Sequence, residues 1–199
     1  EPATEYFLTL EQDGLKIDEI KVTTETESFT LNVKKFGAKG DGVSNDTLAL
    51  QTAIMSCPKD GRVYIPKGKY LITSIFLKDN LTLELGEGAE ILGDLERKNF
   101  GILPGLIDND KNEEYYLGSW EGNPLDSFTS LITGINVKNI KILGRGCLNG
   151  RASKENWWKN PKIKNIAWRP RSIFLNNCEN VVIEGIKIMN SPSWTIHPF

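Results

Sequence analysis

This chain of 199 residues is poor in the residues that usually announce chemistry. It has one histidine, His197, and three widely spaced cysteines, Cys57, Cys147 and Cys178, with no CxxC pair among them. No metal-binding, dithiol or disulfide framework is indicated, and the cysteines read as small buried hydrophobes. There is no basic surplus: 24 Lys and Arg face 26 Asp and Glu, for a formal net charge of −2. Neutralising phosphates needs a clear excess of cations, so nucleic acid is not an expected partner. No apolar run approaches the roughly 20 residues of a bilayer span, so no membrane is expected either. HExxH, GxSxG, the P-loop and the dinucleotide fingerprint are absent, and no acid cluster suggests calcium. No metal or cofactor is therefore expected. The opening "EPATEYF" lacks an initiator Met and a signal region, which reads as a mature, processed or excised polypeptide.

What is present is organised in two parts. Residues 1–30 alternate apolar and polar positions around Asp13-Gly14, a turn signal, and end in a Thr/Glu-rich linker. They are too short to hold a core. They read as the end of a preceding β-module, resembling the last strands of a fibronectin type III unit, or as a strand docked on the main domain. Residues 31–199 form the second part. The run "GAKGDG" predicts a tight loop rather than a strand or helix interior. Asn45 or Asp46 then caps a helix whose Leu50, Ala53, Ile54 and Cys57 share one face.

After the helix the chain repeats itself. Residues 79–94, 138–151 and 179–192 each begin at or beside an Asn, run through alternating apolar residues, turn at Gly and enter a second short strand. Such units bury their apolar faces by stacking on one another. The expected fold is all-β: a right-handed parallel β-helix with one N-terminal capping helix before the first rung, truncated on its C-terminal side. Two long segments, 95–128 and 151–170, interrupt the repeats and would overhang one face as the walls of a groove.

The second of these loops carries the most suggestive side chains. Trp157, Trp158 and Trp168 are interleaved with Lys159, Lys162, Lys164, Arg169 and Arg171. Aromatic faces stack on sugar rings, and guanidinium forks pair with carboxylates, so the set suits an acidic polysaccharide. Anchoring of the loop by its tryptophans is the plainer alternative. In "SPSWTIHPF", strand alternation puts Ile196 and Trp194 in the core and points His197 outward, towards any groove, although a lone histidine there is more often structural, hydrogen-bonded to backbone, than catalytic. Asp41, Asp46, Asp79, Asp94, Glu179 and Glu184 are accounted for by caps, turns and exposed strand faces, and no two acids read as a facing pair.

The ordered series "FGAKGDGVSNDTLALQTAI", "GRVYIPKGKYLITSIFLKDNLTLEL", "NIKILGRGCLNG", "WW", "RPRSI" and "NSPSWTIHP" resembles the N-terminal half of the family 28 glycoside hydrolases, the polygalacturonases and their relatives. The likeness runs from Leu31 to Phe199 and is strongest to the bacterial, exo-acting branch. It implies metal-free, inverting hydrolysis of α-1,4-linked galacturonic acid in pectin. The family's NTDG, DD, GHG and RIK motifs do not occur here, and His197 lacks the glycines of the GHG type. The resemblance therefore places the catalytic acids beyond Phe199 and implies that these 199 residues alone are inactive. It leaves Arg171, His197, Arg169 and Trp158 as the expected substrate-binding residues. It also implies a secreted or cell-surface protein, or one processing oligosaccharides in the cytoplasm. As a separate chain, a stack ending on an uncapped turn is expected to aggregate, self-associate at that end or dock a further fragment. A non-catalytic β-helix that binds acidic polysaccharide, or a purely structural one, remains the alternative. Exo or endo action stays open, with exo favoured if the 95–128 insertion closes one end of the groove.

Overall fold

An antiparallel hairpin comes first, with β1 (Glu5–Gln12) and β2 (Leu15–Thr23) joined at Asp13-Gly14. Both turn residues have positive φ, 53° and 76°, as the two-residue turn between right-twisted strands requires. Both strands are exposed along their whole length. The computed structural model describes residues 3–24, 29–108 and 114–199, so the expected Thr/Glu-rich linker lies largely outside the described residues.

From Thr30 the chain winds through five parallel turns. The first consists of β3 (Thr30–Asn32), β4 (Asp41–Asn45) and helix α1 (Thr47–Ser56). The second is β5 (Gly61–Ile65), β6 (Gly68–Ile72) and β7 (Ile75–Phe76). The third begins with β8 (Leu81–Leu85) and β9 (Ala89–Gly93). It then leaves the stack through an insertion holding β10 (Ile102–Leu103), β11 (Ile107–Asp108), β12 (Glu114–Tyr115) and β13 (Ser127–Phe128), and closes with β14 (Ile132–Ile135). The fourth is β15 (Lys138–Gly144), β16 (Cys147–Asn149) and, after a long loop, β17 (Ile173–Asn176). The fifth is β18 (Glu179–Glu184), β19 (Lys187–Met189) and β20 (Ile196–Pro198).

Three parallel sheets result: β3-β5-β8-β15-β18, β4-β6-β9-β16-β19 and β7-β14-β17-β20. This is the right-handed parallel β-helix expected from the repeats. Its core is a set of columns, one residue per turn. Leu31, Val63, Leu83, Ile142 and Ile183 are in register in the first sheet. Tyr70, Ile91, Leu148 and Ile188 are in register in the second, and Ile75, Ile132, Ile173 and Ile196 in the third. Each fully buried member contributes about 1.5–3 kcal/mol relative to an exposed one.

The turns are locked at fixed heights by asparagines. Asn80, Asn139 and Asn180 all sit in the left-handed region, at φ 55°, 58° and 53°. The Asn139 amide donates to Asn80 at 2.9 Å, and Asn180 donates to Asn139 at 3.1 Å. Parallel bonds join Asn177 to Asn136 and Asn190 to Asn149. Asn tolerates this backbone, and its amide can both donate and accept, so one residue type serves the bend and the ladder.

The start of the stack differs from the sequence expectation in three ways. Two turns precede the repeats recognised by their Asn, because Gly61–Ile72 carries the strand pattern without that marker. The helix does not stand before the first turn but forms its third side, where a strand of the third sheet would otherwise lie. There Gln51 acts as a strand edge: its amide donates to Phe76 O at 3.0 Å and accepts from Phe76 N at 2.7 Å. That satisfies the open side of β7, which would otherwise invite pairing. Thirdly, the glycine run is not wholly loop, since Gly42, at φ 80°, lies inside a bulged β4. Asn45 rather than Asp46 accepts from the helix start, at Thr47 N, while Asp46 is buried and holds Lys39 N and Gly40 N.

A candidate acidic-sugar site over the third sheet

Strand alternation sends the other face of the third sheet outward, giving the row Phe76, Thr133, Phe174 and His197. His197 thus points outward as expected, and Ile196 continues the core column. Trp194 does not fill the core. It is 42% exposed, because it lies on the bend from Ser191 to Trp194, ahead of a strand that starts only at Ile196. Alternation counted back from the strand does not govern a bend.

Arg171 is the centre of what gathers there. Although only 1% of it is exposed, it forms no ion pair with a carboxylate among the described residues. Its guanidinium donates to the Ser119 carbonyl and lies 5.2 Å from the Phe174 ring centre, 5.4 Å from Trp194 and 5.5 Å from Trp120. Its Nε has no partner among the described residues. Burial pushes its pKa down to about 10, so it remains a cation at neutral pH. Three ring faces offset part of the cost of desolvating that charge.

Arg169 lies 5.3 Å from the same Trp120 ring and donates to the carbonyls of Pro192 and Pro161. Its pKa is lowered by burial and then by the charge of Arg97. Trp120 itself is nearly buried, stacked on Trp168 at 4.6 Å and meeting Trp194 at 4.9 Å. His197 is half-buried, 5.1 Å from Trp194 and 5.5 Å from Phe174, and its Nδ1 has no partner among the described residues. Burial, and then the charge of Arg171, lowers its pKa and keeps the imidazole neutral at pH 7.

The expected binding residues are thus divided. Arg171, Arg169 and His197 converge on one cluster through Trp120 and Trp194. Trp158 is 37% exposed at the edge of that cluster, its indole N–H donating to Ser191 O at 3.2 Å on the same bend as Trp194. Trp157 proves to be an anchor: it is 1% exposed and packed edge-on against Phe100 and Phe128. Lys159, Lys162 and Lys164 are exposed, and Lys164 approaches Asp126 at 3.9 Å.

Two members escaped the sequence reading. Arg97 lies 4.4 Å over the Trp157 ring, and Trp120 comes from the insertion. Neither stands in a repeat, and no spacing rule relates them to Trp168 or Arg171. The richness of the insertion in Gly, Asn, Asp and aromatics was the one available signal. The chemical result is a dry-floored patch with excess positive charge, exposed tryptophan edges and a neutral imidazole. Such a patch can hold an anionic, ring-bearing ligand, but among the described residues it has no acid pair of its own.

A scan against known families matches residues 30–195 to the family described as rhamnogalacturonase A/epimerase, pectate lyase-like. The chain belongs to this family. It is 30% identical over 172 residues to a probable polygalacturonase of Vitis vinifera, covering 82% of this chain and 33% of that protein. It is also 30% identical over 184 residues to the plasmin and fibronectin-binding protein A of Streptococcus pneumoniae, covering 84% of this chain and 25% of that one. Among solved structures, the family 28 exopolygalacturonase of Yersinia enterocolitica superposes with a TM-score of 0.75 at 24% identity, covering all of this chain and 42% of its own. The resemblance to family 28 glycoside hydrolases is borne out. The chain spans a third or less of the length of these two curated relatives.

Proposed function

We propose that the protein containing these 199 residues is a pectin-degrading glycoside hydrolase that cleaves α-1,4-galacturonosyl linkages with inversion. This segment supplies the first turns of its β-helix and one cationic, aromatic wall of its substrate groove. The observation that carries the reading is Arg171, a buried guanidinium without a carboxylate partner among the described residues, in a chain of the pectate lyase-like family. A uronate carboxylate is the anion such a charge lacks. Arg169 and Arg171 attract the carboxylate, Trp158 stacks on the sugar face, and neutral His197 exchanges a hydrogen bond with a ring hydroxyl. The acids that cut the bond come from residues outside this segment. The hairpin β1–β2 belongs to a preceding β-module, and the protein works outside the cell or on its surface.

The test is a fluorescence titration of the protein with trigalacturonate and with neutral galactotriose, read from the tryptophans around Arg171. The uronate is expected to quench at low salt and to be displaced by added salt, while the neutral sugar leaves the emission unchanged. Equal responses to both sugars would remove the basis for the assignment. Release of reducing ends from polygalacturonate by the full-length protein completes it.

One observation favours a second reading, a binding module without hydrolysis: the Streptococcus pneumoniae relative is named for binding plasmin and fibronectin. Capture of either protein, with no reducing ends released by the full-length chain, would decide for it.

A further inference from the structure

Segment 151–171 holds more charge of one sign than the cluster at Arg171 uses. It carries seven of the chain's 24 Lys and Arg but only one of its 26 Asp and Glu, Glu155. Arg169 and Arg171 turn inward to the tryptophans. Lys154, Lys159, Lys162 and Lys164 do not, and all four are exposed. Lys164 approaches Asp126 at 3.9 Å, and the other three form no ion pair among the described residues.

These lysines stand on a hydrogen-bonded platform. Asn156 ties its neck: its amide donates to Arg151 O at 3.1 Å and accepts from Ser153 N at 2.8 Å. Two turns follow, closed by Trp158 N on Ser153 O at 2.9 Å and by Ile163 N on Asn160 O at 3.0 Å. Trp157 anchors the platform from beneath, and Arg169 donates to Pro161 O at 3.3 Å. On its other side Arg169 meets Trp120, the end of a strap, Tyr116–Trp120, that Asn176 and Arg171 hold through Tyr116 O and Ser119 O. Arg169 thus stands between the cluster at Arg171 and the lysines.

Two isoleucines are set among the lysines, Ile163 at 68% exposure and Ile166 at 60%. Ile166 also has φ 68°, in a three-residue turn closed by Ala167 N on Asn165 O at 2.9 Å. A β-branched residue in that region is strained, and strain kept at an exposed side chain brings no burial in return.

We propose that this platform is a second binding surface for the acidic polysaccharide, outside the groove. The ammonium groups face uronate carboxylates, and the isoleucines lie against the apolar faces of the rings. The inference rests on the uronate reading above. A long chain held at Arg171 makes its contact with the platform at a high effective concentration, whereas a trimer filling the groove has no chain left for it. Duplex nucleic acid fits less well. Outside this segment acids outnumber bases and repel a broad polyanion, while a strand one sugar wide touches the platform alone.

The experiment is affinity electrophoresis of the full-length protein through gels containing polygalacturonate, with kcat and KM measured on the polymer and on trigalacturonate. Changing Lys159, Lys162 and Lys164 together to Gln should abolish retention and raise KM for the polymer about tenfold, as the loss of three exposed ion pairs predicts. KM for trigalacturonate should stay unchanged, and Arg at the same three positions should keep the retention. Ile166→Gly, which relieves the strained turn, should melt no lower than the wild type yet be retained less. Glutamine variants retained like the wild type overturn the inference. An equal loss on trimer and polymer overturns the separation of the platform from the groove. Retention as strong in gels containing duplex DNA at the same salt overturns the assignment to polysaccharide. If the glutamine variant does not melt cooperatively, the wild type decides alone: binding the polymer no more tightly than the trimer overturns the proposal. Retention of the polymer without binding of the trimer defeats the role given to Arg171 and leaves the platform standing.

Discussion

At the scale of single residues, the chemistry of this chain turns on a charge placed where charges are costly. Arg171 is sealed beneath Trp120, Phe174 and Trp194 without a counterion among the described residues, so its retention is not explained by stability. Arg171→Met keeps the stem volume and removes the charge. We expect a melting temperature equal to or above that of the wild type, with affinity for trigalacturonate falling about tenfold or more, roughly 1.4 kcal/mol. Arg171→Lys should not restore it, because an ammonium cannot reproduce the planar fork among three rings.

His197 gives a pH signature. Its pKa is lowered in the fold, first by burial and then by Arg171, so protonation favours the unfolded chain. Its stabilising effect is complete above the ordinary histidine value of about 6.5 and is lost as the pH falls through the lower folded value. The melting temperature should therefore drop between pH 7 and 5 by more in the wild type than in His197→Gln, and emission from Trp194 should fall over the same range.

Which residues were legible in the sequence depends on how each is held. His197 could be oriented because it is on a strand, and Arg171 and Arg169 could be nominated because their loop is aromatic and basic. Trp194 was misplaced because it lies on a bend, and Trp120 was missed because its partners, Trp168 and Trp194, are brought to it by the stacking of separate turns.

At the scale of elements, the third and fourth turns could be read from Asn80 and Asn139 because the same residue performs the same task at each level. Asn139 is the informative one to change, since it bonds both above and below. Asn139→Ala loses two side-chain hydrogen bonds and puts a residue without asparagine's tolerance in left-handed backbone, a cost of about 2–3 kcal/mol in urea unfolding. Asn139→Gly loses the same bonds but accepts the backbone, so it should be the milder change by about 1 kcal/mol. Gln51 was unreadable in this sense. A glutamine on the flank of a helix gives no hint that it will mimic the edge of a strand, because that depends on where Phe76 comes to rest.

At the scale of the whole molecule, the fold could be read where it repeats, and its exceptions could not. The columns of the three sheets come from alternation and turn signals alone. The two leading turns, the bulged β4 and the strap do not, because each is a departure from the repeat forced by contacts between distant segments. As a separate chain of 199 residues, the stack carries Val181, Ile183, Ile186 and Ile188 only partly buried, and Ile196 is 43% exposed. Light scattering should accordingly find self-association that lessens when Ile183 and Ile196 are changed to Lys. Prolonged incubation of this segment with polygalacturonate should yield no new reducing ends.

The asparagine ladder has one more consequence. Asn80 and Asn139 are bonded although 59 residues separate them, and Asn139 and Asn180 are bonded across 41. The height of a turn and the length of chain spent in making it are thus independent variables. Evolution can lengthen, exchange or delete the segment between β9 and β14 without moving the floor above or below it. Two proteins with superimposable sheets can then differ completely in what overhangs them, as a coastline can be redrawn while the contour lines inland stay fixed.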